Sequence, residues 1–191
     1  MSDLQRDPVP ARHGKHRIDI IGFPMDLGAD RRGVGMGAEA LRIAGIRGRL
    51  EELGYEVRDR GDIPVEIRES QTVSNPNLKY LEEVLEKSGR LAVVVKASLD
   101  QGALPLAVGG DHTVSIGSVA GLSAHCREQG LRPGVLWIDA HADMNDEEST
   151  PSGNIHGMAL AVSLGFGEPR LTHLLGFSPK LSAENAFLVG V

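Results

Sequence analysis

Twice in this chain a short apolar run breaks abruptly into acidic and imidazole side chains: Leu104-Pro-Leu-Ala-Val-Gly-Gly-Asp-His112 and Val135-Leu-Trp-Ile-Asp-Ala-His-Ala-Asp143. Each reads as a β-strand that delivers polar groups at its carboxyl end. Strands of that form, separated by a helical stretch, belong to βαβ units, and a parallel sheet brings their carboxyl edges together. The two breaks are therefore expected to meet at one edge of a single sheet. Asp139, His141 and Asp143 alternate with alanines, so an extended chain turns all three to one face. Five extended residues cover roughly 13 Å, too far for three groups to grip one small ion side by side. Either the chain leaves the strand near Ala140 or the ligands are shared between two ions. Two carboxylates and an imidazole without a thiolate favour a hard or borderline ion such as manganese over a cysteine-held zinc. Asp111 is expected to orient His112 rather than to bind metal itself.

The rest of the chain alternates in the same manner. Ile18–Phe23 reads as the first strand and Tyr55–Asp59 as the second, with a helix from about Glu39 to Leu53 between them that buries Ile43, Ile46, Leu50 and Leu53. Asn75-Pro76 has the form of an N-cap followed by proline at the first helical position, opening a helix to about Leu99. Strand three covers Pro105–Val108, a helix runs from Val114 to Glu128 until Gly130 stops it, and strand four is Val135–Asp139. A helix near Gly157–Leu164 precedes a last apolar strand within 185–191. Gly33-Val-Gly-Met-Gly-Ala38 fits a dinucleotide fingerprint, but about ten residues separate it from the strand it should follow at once; it is expected to be a flexible loop at the rim of the site.

These motifs resemble the ureohydrolases, and the arginases in particular. Gly109-Gly-Asp-His112, Asp139-Ala-His-Ala-Asp143 and Ser152-Gly-Asn-Ile-His-Gly157 stand in that family's order and spacing, and Ile20–Gly37 looks like its opening strand and glycine-rich loop. The resemblance implies a three-layer α/β/α fold with a mostly parallel sheet, here of about five strands. It implies two manganese ions held by His112, Asp139, His141 and Asp143, with Asp139 bridging, His112 and Asp143 on the first ion and His141 on the second. It implies hydrolysis of the guanidinium of L-arginine to urea and ornithine by a metal-bridging hydroxide, with His156 moving a proton near the leaving amine. Asn145, Ser152 and Asn154 occupy positions that arginases use for the substrate α-carboxylate and agmatinases do not keep. Homo-oligomers are expected of the full-length form. Beyond a strand such as that in Asn185-Ala-Phe-Leu-Val-Gly-Val191 the family carries two further metal-ligand aspartates and substrate-binding acids without counterpart here, so the second metal site is expected to be incomplete and activity weak. An agmatinase-like enzyme and a non-catalytic metal-binding fragment are the alternatives.

With 191 residues, 41% of them hydrophobic, the chain is long enough to bury one core, expected over residues 17–191 after a disordered lead-in at 1–16. A net charge of −6 argues against nucleic-acid and anionic-membrane partners. Cys126 stands alone, which favours a reducing compartment, and the absence of an apolar leader or an 18-residue apolar run favours the cytoplasm.

Overall fold

The computed structural model describes residues 16–191; the rest of the expected lead-in lies outside them. Strand β1 (Arg17–Phe23) lies between β2 (Glu56–Asp62) and β3 (Ala103–Gly109), all parallel. That central place explains the nearly unbroken apolar run of β1, since both of its faces are covered. Pro105 is tolerated because β3 is an edge strand and needs no N–H on its free side.

Helices cover both faces. On one, Ile18, Ile20 and Val57 pack with Ile46 and Leu50 of α2 (Ile46–Glu52). On the other, Ile21 and Phe23 join residues of α3 (Leu81–Asp100), α4 (Val114–Glu128) and α5 (Ala159–Ser163) in the main core. This is the three-layer arrangement expected. Among the described residues no helix is long and apolar enough to cross a membrane.

The single sheet is not what forms. Strand β4 (Val135–Ile138) pairs with β5 (Ala186–Val189) in a separate parallel ladder, and β3 and β4 share no hydrogen bonds as neighbours. The two ladders communicate through side chains: Trp137 points from β4 into the main core while Leu136 and Ile138, on its other face, remain exposed.

Three local expectations also change. The helix expected over 39–53 is two helices, α1 (Gly37–Ile43) and α2, because Gly45 turns left-handed at φ 81°. The break rotates the apolar stripe, so Ile43 and Leu53 face solvent. Asn75 caps only a turn, its Oδ1 accepting from Asn77 N at 2.9 Å, and α3 starts later, at Leu81, behind a left-handed Tyr80. The glycine-rich loop is not loose. A Cβ on Gly110 would lie 2.0 Å from the Met25 carbonyl oxygen and 3.0 Å from Gly35 Cα, so the glycines let the two loop backbones touch. A short helix α6 (Pro169–Thr172) precedes β5.

Candidate metal centre

The chain leaves β4 at Ile138 and bends through Asp139 to His141, the first of the two alternatives that the reach of an extended segment left open. Asp143 then adopts φ 49°, and its carbonyl accepts from Leu160 N and Ala161 N, which pins the bend to the first turn of α5. From the other unit, His112 stands just before α4 with its ring stacked on Trp137, centroids 4.5 Å apart. The imidazole is thereby aimed at both carboxylates: Nδ1 lies 2.6 Å from Asp143 Oδ2 and 2.9 Å from Asp139 Oδ2. Ligand atoms of the three residues all lie within 4.8 Å of one another.

The electrostatics favour a cation at this point. The Asp143 carboxylate, against the opposing effect of burial, raises the basicity of His112, and Asp139 adds to it. Asp139 is partly desolvated, which by itself raises its pKa, but the His141 backbone N–H and the His112 ring hold it below the usual carboxylate range. Asp143 Oδ2 is buried and receives no aligned hydrogen bond, although a ring nitrogen stands beside it. A buried carboxylate oxygen without a donor is costly, and a metal ion between it and an imidazole lone pair removes that cost. The donor set therefore fits a hard or borderline divalent ion.

His141 does not join the cluster. Its side chain is 83% exposed, with Nδ1 3.5 Å from Asp139 Oδ1, while its backbone N–H donates to that same oxygen at 3.0 Å. Asp111 does not orient the His112 ring as expected. Its carboxylate accepts from Thr113 N at 3.0 Å, from the Thr113 hydroxyl and from Ala29 N at 2.9 Å, so it ties the start of α4 to the loop after β1. Burial pushes its pKa up against those hydrogen bonds.

A cavity of about 530 Å³ opens beside the cluster, and His141, Asp143, Asn145, Ser152, Asn154 and His156 all line it. Asn154 donates from Nδ2 to Ala29 O at 3.1 Å, whereas its Oδ1 is buried and unpartnered. Ser152 Oγ accepts from Asn154 N at 3.2 Å, and His156 N donates to Gly28 O at 3.2 Å. Sequence reasoning missed the loop residues Gly28 and Ala29, whose backbone carries these bonds, and the stacking role of Trp137. Only Trp137 left a signal, as an aromatic two positions before Asp139.

The arginase family model matches residues 16–191. The chain is 48% identical over 173 residues to an arginase of Brevibacillus brevis, covering 91% of this chain and 56% of that protein. It is 49% identical over 175 residues to an arginase of Bacillus caldovelox, with 91% and 57% covered. The native structure of the Bacillus caldovelox arginase superposes with a TM-score of 0.86 at 48% identity, over 92% of this chain and 58% of that one. Entamoeba histolytica arginase, solved in complex with L-ornithine, gives a TM-score of 0.82 at 31% identity, over 93% and 58%. The chain thus spans about 56% of the length of the curated relatives it matches.

Proposed function

The chain belongs to the arginase family, and we propose on that premise that it serves manganese-dependent hydrolysis of the L-arginine guanidinium to ornithine and urea. The observation that carries this reading is the convergence of His112, Asp139 and Asp143 beside a cavity lined by Asn145, Ser152, Asn154 and His156. His112, Asp139 and Asp143 would hold the first manganese ion, and Asp139 with His141 the second. When bound, such ions act as Lewis acids that make water a nucleophile near neutral pH.

The chain's own groups supply the remainder. His156 carries an imidazole suited to passing a proton to the leaving amine nitrogen. Asn145, Ser152 and Asn154 would take the α-carboxylate of arginine, orienting it without bringing a competing cation toward the metal. Asn154 has one amide hydrogen committed to Ala29 O, which leaves the second for the substrate. In keeping with the lone, buried Cys126, we place the protein in the cytoplasm, without nucleic-acid or membrane partners and as a homo-oligomer when full length.

Urea release from arginine and from agmatine, with saturating manganese, tests the proposal. Arginine should be strongly preferred, and Ser152→Ala or Asn154→Ala should weaken its use roughly 10- to 150-fold while sparing agmatine. Equal use of both substrates would favour the agmatinase-like reading. The exposure of His141 favours a further reading, a metal-binding chain without turnover, for which stoichiometric manganese with no urea from either substrate is the signature.

A further inference from the structure

Three loops meet at the cavity and are cross-linked to one another rather than to the sheet alone. The strap after β1 accepts two of the bonds that shape the cavity wall: Gly28 O takes His156 N, and Ala29 O takes the Asn154 amide. The segment before α3 grips the same wall from the other side, Lys79 N donating to Gly153 O at 2.9 Å. Asp30 joins the two. Its carboxylate pairs with Lys79 Nζ at 3.0 Å and with the Arg68 guanidinium, while Arg68 also donates to Asp26 O at 3.0 Å. On the inner side Ala29 N donates to Asp111 Oδ2 at 2.9 Å, and Gly28 lies close against Asp111 and Thr113. A Cβ on Gly28 would lie 2.4 Å from Thr113 Cγ2 and 2.9 Å from Asp111 Oδ2.

We propose that Asp30 is a positioning residue for this cavity: latched by Lys79 and Arg68, it holds the Gly28–Ala29 strap that sets the Asn154 amide and the His156 backbone. Asp30 touches neither metal ligands nor the cavity, and it acts only through the strap. Its backbone is left-handed at φ 51°, a conformation that Asp and Asn both tolerate, so the surrounding bonds rather than strain relief keep it in place. The Lys79 ammonium, aided by Arg68 and against the opposing effect of partial burial, draws its carboxyl below the usual range, as an engaged latch requires. The consequence for arginine use rests on the function proposed above. The consequence for loop order does not.

Asp30→Asn keeps the shape and the backbone tolerance while removing the charge, and Lys79→Met removes the partner. In hydrogen–deuterium exchange on the whole chain with manganese, amides of 152–157 should exchange about three- to tenfold faster in each variant, with β1 and α4 unchanged. Unchanged exchange at 152–157 in both variants overturns the proposal, and so does an equal rise throughout β1 and α4, which marks a loss of global stability. In the urea assay KM for arginine should rise about three- to tenfold at constant kcat and constant manganese affinity. A fall in kcat at constant KM also overturns it. If the unsubstituted chain releases no urea, the arginine reading fails and the exchange experiment alone decides the latch.

Discussion

At the scale of single residues the burden falls on a few buried charges. Asp143 combines a left-handed backbone with a buried carboxylate whose Oδ2 lies 2.6 Å from the His112 ring nitrogen, a placement that suits the metal-ligand role proposed for it. Asp143→Ala is expected to lower manganese affinity at least about 100-fold, measured by calorimetric titration, since loss of one of three converging ligands exceeds the effect of losing an outer hydrogen bond. Binding within a few-fold of the original would remove Asp143 from the ligand set. Asp19 is the second case, fully buried in β1 and neutralised by Arg58 at both carboxylate oxygens and by Arg60 at 3.2 Å. Burial alone would raise its pKa, but Arg58, Ser98 and Arg60 together bring it below the usual value of 3.8. A carboxyl depressed on folding stabilises the fold above its unfolded pKa, and that contribution disappears as pH falls through the lower, folded value. Asp19→Asn should therefore cost about 2 kcal/mol at pH 7, and the gap from the unsubstituted chain should close as pH falls below about 4. Urea-denaturation midpoints at the two pH values provide the check, and a gap that persists in acid counts against the assignment.

At the scale of elements, glycines separate two kinds of constraint. A Cβ at Gly45 meets nothing within 4 Å, so Gly45→Ala is opposed only by its left-handed φ and should cost about 1–2 kcal/mol in thermal or denaturant unfolding. Gly110→Ala meets a carbonyl oxygen at 2.0 Å and should be worse, displacing the turn that carries His112 and with it manganese binding. A Gly45 variant as damaging as the Gly110 one would show that the break between α1 and α2 serves more than a turn. The same elements show what could be read beforehand. Helix α4 has the expected bounds, Val114–Glu128, because its start and stop signals are local. The joint at Gly45 was hidden, since a glycine inside an apolar helical pattern lowers propensity without stating which way the chain turns. Asn75 does not cap the helix expected to open at Pro76: its side chain closes only a turn, and the helix begins at Leu81 after Lys79 N is given to Gly153 O, a partner 74 positions away that no local pattern announces.

At the scale of the whole molecule the β4–β5 ladder presents a contiguous apolar face, with Leu136, Ile138, Phe187 and Val189 each between 49% and 73% exposed. Paired residues Leu136↔Phe187 and Ile138↔Val189 set these side chains beside one another, and an apolar sheet face of that kind promotes association. The chain should self-associate with rising concentration in analytical ultracentrifugation, and Phe187→Lys with Leu136→Lys should shift it toward monomer; a monomer at every concentration would contradict this. Sequence alone determined the element types, the parallel βα order and the placement of His112, Asp139 and Asp143 at strand ends, because hydrophobic period and ligand chemistry are properties of short segments. Tertiary structure decided the remainder: two ladders in place of one sheet, His141 left outside the cluster, Asp111 turned toward Ala29, and Asn154 committed to a carbonyl 125 positions away. Strand pairing and side-chain partnership are chosen by competition among distant groups for the same hydrogen bonds and the same space, and that competition is settled only when the whole chain has packed.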